Sequence, residues 1–138
     1  MTRRRGREGG QSLAEIALIL PVFLLMLMAI FDFGRAIYAY NTLGNASRAA
    51  ARLAIVNQDT TAIEARAKEQ TIGMNPDEVT VDTSALLDNC TTSPPKIGCV
   101  VNVTVEYDWN PITPIIGNVV GPIALSSTTS MPIERVYP

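Results

Sequence analysis

From Ile16 to Phe31 the chain reads IALILPVFLLMLMAIF, sixteen residues without a charge or a strongly polar side chain. No other stretch compares with it, although the overall hydrophobic content of 47% is ordinary for a globular protein. At ~1.5 Å rise per residue a helix of this run spans ~24 Å, slightly short of a ~30 Å hydrocarbon core. Extending the helix back to Gln11 supplies the missing length and sets Glu15 at or just inside the membrane. A length of 138 residues then leaves room for one modest domain beside the anchor.

Charge is divided as unevenly as hydropathy. Residues 1–10 hold Arg3, Arg4, Arg5 and Arg7 against Glu8, a local balance of +3. Residues 58–138 carry four basic and ten acidic side chains, a balance of −6. Basic residues before an apolar run and an acidic segment after it predict an N-terminus in the cytoplasm and a C-terminal domain on the other side. An acidic domain repels a phosphate backbone, so nucleic acid is not an expected partner, whereas membrane lipid is.

A cleavable secretory signal would need a small-x-small site soon after the apolar run. Asp32 and Arg35 follow the run directly, and the first convincing site, Ala49-Ala50-Ala51, comes much too late. A plain uncleaved anchor fits, but leaves Gly10-Gln11-Ser12-Leu13-Ala14-Glu15 and the internal Pro21 unaccounted for. Proline removes one helical hydrogen bond, a defect that membrane helices tolerate better than soluble ones.

Beyond Phe31 an alanine-, leucine- and arginine-rich stretch continues the helical pattern to about Val56, giving one predicted helix of ~70 Å. Gly34 and Gly44 are its weak points, and Tyr38 and Tyr40 fall where an interfacial aromatic belt would sit. Ala46, Ala49, Ala50, Leu53 and Val56 share one face at helical spacing. Small residues there permit close packing, either on the chain's own domain or on another subunit. Asn57-Gln58-Asp59 breaks the pattern. Thr61 with Glu64 reads as a capping box opening a short, solvated connector helix over 62–72, closed by Gly73.

The remainder reads as β structure. Val79 and Val81 alternate with polar residues, and CVVNVTVEYDW over 99–109 puts Val101, Val103, Val105 and Tyr107 on one face. Asn110-Pro111 and Pro114 interrupt, Gly117-Asn118 suits a turn, and a further strand is predicted over 122–131. The expected class is therefore α+β: a long N-terminal transmembrane helix, a short second helix and a small antiparallel sheet that needs the helix to cover its apolar face. The predicted organisation is a basic cytoplasmic leader (1–10), a transmembrane and extended helix (11–57) and an extracytoplasmic α+β domain (58–138).

Histidine is absent, which removes imidazole acid–base catalysis and the common zinc sites, and no G-x-S-x-G element occurs. No catalytic residue, metal or cofactor is expected, and Asp77, Glu78, Asp82 and Asp88 read as solvated edge charges. Cys90 and Cys99 both fall on the non-cytoplasmic side, so a disulfide stapling a projecting loop is predicted, with two free thiols as the alternative.

A glycine followed at the fifth position by glutamate, just ahead of an apolar helix, resembles the type IV prepilin cleavage motif. GQSLAE, the apolar run and FDFGRAIYAYNTLGNASRAAARLA together are similar to the TadE-like family of tight-adherence (Flp-type) pilus proteins. The resemblance covers 10–54, about a third of the chain. It implies a minor pilin or pseudopilin contributing to pilus biogenesis and surface adhesion. The implied partners are a prepilin peptidase, an assembly platform with its cytoplasmic ATPase, and other pilins or pseudopilins met through the N-terminal helix. By that resemblance Gly10 ends the leader, Gln11 becomes the mature N-terminus and Glu15 is the fifth-position glutamate. Family processing motifs often carry an aromatic residue after that glutamate; here Ile16 follows. A new α-ammonium on Gln11 would have Glu15, at i+4 on the same face, as its counter-charge. A membrane-tethered binding domain without a pilus role is the alternative reading.

Overall fold

The computed structural model describes residues 8–83 and 97–136. Helix α1 (Glu8–Ala54) is followed by α2 (Thr60–Glu69), β1 (Val79–Asp82), β2 (Val100–Trp109), α3 (Pro114–Val120) and β3 (Ile123–Pro132). This is the α+β arrangement expected from the sequence.

Helix α1 runs for 47 residues through Pro21, Gly34 and Gly44. It starts before the predicted leader boundary at Gly10 and stops short of residue 57. Its end has a local cause: Val56 and Asn57 both donate to the Leu53 carbonyl, which unwinds the last turn. The Gln58 side-chain amide then donates to the freed Ala54 carbonyl at 2.9 Å and to Arg135 O at 3.0 Å.

The two halves of α1 live in different environments. Every residue from Gly10 to Phe31 is exposed except the half-buried Ala29. From Asp32 onward one stripe is buried, namely Asp32, Ala39, Thr42, Leu43, Ala46, Ser47, Ala50, Ala51 and Ala54. The predicted small-residue face is therefore correct at Ala46 and Ala50 and covers the chain's own domain. Ala49 and Leu53 are half-buried at its margin, whereas Val56, beyond the end of α1, is exposed.

Helix α2 packs on α1 through Ile63 and Ala67, both fully buried, so it is part of the core and not a solvated connector. Its N-cap is Asp59, whose carboxylate accepts from Thr61 N at 3.1 Å, not Thr61 as the sequence suggested. A short anionic side chain suits the positive end of the helix and begins it at Thr60.

The sheet is an antiparallel meander in the order β1-β2-β3. β2 and β3 stay in register from Val100↔Pro132 to Trp109↔Ile123. Val101, Val103 and Val105 point from β2 into the core against Leu43, Ala46 and Ala50 of α1. Fully burying each such valine or leucine stabilises by roughly 1.5–3 kcal/mol, and alanines on the helix let its backbone come close.

The ends of the sheet are fixed by polar contacts. Glu134 N and Arg135 N donate to Ile55 O at 3.1 and 3.0 Å, and Ile133 N donates to Cys99 O at 2.7 Å. These place the start of β2 and the end of β3 at the C-terminal end of α1. At the opposite end, Tyr107 and Trp109 line a small cleft with Arg35, Tyr38 and Ala39. β2 therefore runs back along α1, and the 110–122 connection forms the end of the domain nearest the bare half of the helix.

That connection corrects a further expectation. Gly117 and Asn118 do not form a turn but lie inside α3, with Pro114 at its start, a position where a missing N–H costs nothing. The reversal into β3 falls at Gly121, whose positive φ of 72° is one that glycine adopts without strain. Cys90 and Asp88 lie outside the described residues, and with them the expected Cys90–Cys99 pairing and its loop.

Candidate membrane anchor and processing site

The bare part of α1, residues 10–31, would measure ~33 Å as an ideal helix, close to a ~30 Å hydrocarbon core. The helix from Gly10 to Ala54 is long and apolar enough to cross a membrane, with mean hydropathy 2.6 in its most apolar window and none of that window buried. Leu18, Phe23, Met26 and Phe31 are between 53% and 76% exposed. In water such a surface is strongly unfavourable; in lipid it needs no further cover.

Gly10, Gln11 and Glu15, the predicted processing residues, lie on the first turns of this helix. All three are exposed, and a Cβ on Gly10 would meet nothing within 4 Å. The Gln11 side-chain amide donates to Glu15 Oε1 at 3.3 Å, so the structure brings the two predicted positions together on one face.

Where the bare half ends, Asp32 forms a junction that the sequence reading did not single out. It is 4% exposed and accepts from Ile112 N through Oδ1 and Thr113 N through Oδ2, each at 2.9 Å. Thr113 is the N-cap of α3 and makes no capping bond with its own side chain. Asp32 thus holds the entry to α3 from a different element. Arg35 sits on the solvent side of the carboxylate at 3.5 Å.

The Thr113 hydroxyl, the Ile112 N–H, the Thr113 N–H and the Arg35 guanidinium hold the Asp32 carboxyl below its ordinary value of 3.8, against burial, which raises it. The Thr113 hydroxyl is buried without a hydrogen-bond partner among the described residues, so the two backbone bonds define the contact. Asp32 follows Phe31 directly, and all these partners except Arg35 belong to the domain.

Two further contacts seat the domain on α1. Ser47 is fully buried among the alanines, and its hydroxyl meets Ser127 Oγ at 3.1 Å and Thr129 Oγ1 at 2.9 Å. Tyr38, read from the sequence as a belt residue, donates its hydroxyl to Ile72 O at 2.7 Å just before the positive-φ Gly73. Tyr107 lies nearby with its pKa raised, first by burial and then by the Glu78 carboxylate. Trp109 is 5% exposed, and its Nε1 finds no acceptor among the described residues. Among the described residues no cluster of three or more His, Cys, Asp or Glu side chains is arranged to hold a metal ion.

No curated protein matches this chain, and neither does any solved structure. Residues 10–52, the bare anchor together with most of the helix that carries the domain, match the family described as TadE-like protein.

Proposed function

We propose that this chain is a minor pilin or pseudopilin of a tight-adherence pilus system. In this reading α1 holds the chain in the inner membrane with its N-terminus in the cytoplasm, and the α+β domain lies on the periplasmic side. The single observation that carries the proposal is the division of α1: one uninterrupted helix, bare over 10–31 with its apolar run at 16–31, and covered along one stripe by its own domain from Asp32 on, within the segment that matches TadE-like proteins.

The role is structural, with no catalytic chemistry required. Cutting the Gly10–Gln11 bond by a prepilin peptidase would remove the arginine-rich leader and leave an α-ammonium on Gln11, with Glu15 one turn away as its partner. In a filament, Glu15 would pair with the ammonium of a neighbouring subunit, offsetting the cost of an intramembrane carboxylate. The bare helix would then exchange lipid for the helices of other pilins, delivered through the assembly platform and contributing to biogenesis and surface adhesion.

The test is genetic and physical together. Cells lacking this chain are scored for surface pili and adhesion, then complemented with the native protein or with Glu15→Ala. The proposal expects pili to be lost or reduced without the chain and restored only by the native protein. Normal piliation and adhesion in its absence would contradict it.

A further inference from the structure

The connection between β2 and β3 is unlike the rest of the domain surface. No charged residue occurs from Asn110 to Ile133, although residues 58–138 as a whole carry fourteen charges. Within it, large aliphatic side chains stand in the open: Ile112 is 62% exposed, Val119 80%, Val120 55% and Ile123 38%. They lie on and around α3, a seven-residue helix without charge.

The position of this patch along the molecule is fixed. Thr113 N and Ile112 N are each 2.9 Å from the Asp32 carboxylate, and Asp32 follows Phe31, the last residue of the bare apolar run. The domain's closest approach to the bare helix is therefore an uncharged, aliphatic surface at the depth where that helix leaves the hydrocarbon. The headgroup layer on each side of a bilayer is roughly 5–8 Å thick, and a helix with its side chains is about 10 Å across. Aliphatic side chains on α3 consequently reach the acyl boundary, while the nearest charge, Asp32, is buried against the Ile112 and Thr113 N–H groups and Asp108 and Arg35 remain among headgroups or water.

We infer that the α3 segment, about residues 112–123, is a second membrane contact. It rests its Ile112, Val119, Val120 and Ile123 side chains on the same bilayer that α1 crosses. The occupant of this patch is lipid, and the Asp32 bonds set its depth. The inference rests on the reading of α1 as a membrane anchor. Two contacts a fixed distance apart would stop the domain from tilting or swivelling about its single helix.

The test uses the full chain in phospholipid vesicles, with the photo-reactive residue p-benzoylphenylalanine placed in turn at Val119, at Leu24 in the bare run and at Thr61, exposed at the far end of the domain. After irradiation, intact mass is read. A gain of one phospholipid mass at Leu24 and at Val119, and none at Thr61, is the expected result. Lipid adduct at Leu24 alone leaves the anchor standing and overturns this inference. A dimer adduct at Val119 in place of lipid overturns it too, assigning the patch to a second copy. Adduct at Thr61 equal to that at Val119 removes the depth argument, and absence of adduct at Leu24 removes the anchor together with the inference.

Discussion

Thr113 N–H donates to Asp32 Oδ2 at 2.9 Å across a sequence separation of 81 residues, joining the first covered residue of α1 to the cap of α3. A membrane-proximal carboxylate thereby acts as the tertiary cap of a helix that lacks one of its own. The bond sets where the domain begins on α1, and so how much helix is left uncovered.

Asp32→Ala removes both acceptors, leaving the Ile112 and Thr113 N–H groups without partners in a buried corner. The expected outcome is a lower thermal midpoint, with faster hydrogen exchange confined to the 110–122 connection. Asp32→Asn, which retains one acceptor oxygen, falls between the two. Unchanged exchange in that segment would contradict the assignment.

The same carboxylate predicts a pH dependence. Its folded pKa lies below the ordinary 3.8, so the folded state binds the proton less tightly than the unfolded chain. Its stabilisation is fully present above that ordinary value and is lost as pH falls below it through the folded pKa. The stability gap between the native protein and Asp32→Asn, measured by denaturation in detergent, should be constant near neutral pH and narrow below about pH 4.

Packing between α1 and the sheet yields a third expectation. Leu43 and Ala50 are both 0% exposed. Leu43→Ala should cost about 2–5 kcal/mol through lost burial and the cavity left behind. Ala50→Leu should cost about 1–3 kcal/mol by forcing helix and strand apart. Ser47→Ala, which removes the hydroxyl contacts to Ser127 and Thr129, should cost only about 0.5–1.5 kcal/mol. Denaturant midpoints of the three variants give the ranking directly.

For the cysteines, a Cys90–Cys99 disulfide remains the expectation. Protein isolated without reductant should take up no alkylating reagent until reduced, then two equivalents. Reduction should lower stability by on the order of 2 kcal/mol. Alkylation of both thiols before reduction would rule the bridge out.

The parts legible in the sequence were those governed by periodicity. The apolar run, the alanine face at Ala46 and Ala50, and the alternation of Val101, Val103 and Val105 each depend on residues close together in the chain. Asp32 was seen only as a charge ending the run, because its partners lie 80 and 81 residues away and are backbone groups that carry no side-chain signature. Ser47 was hidden likewise, a polar residue on an apolar face whose partners are in β3. Helix α3 was missed for a different reason. Pro114 and Gly117-Asn118 are strong turn signals, yet a proline at the first position of a helix is harmless, and a cap supplied from α1 lets the segment wind.

The most direct test of the account is the N-terminal residue of the protein recovered from membranes of cells that contain the whole pilus locus. Processing as a prepilin predicts a chain beginning at Gln11, with the arginine-rich leader gone and Glu15 at the fifth position. A chain that retains Met1 or Thr2 under those conditions would contradict it, leaving a permanent anchor that tethers a small extracytoplasmic domain.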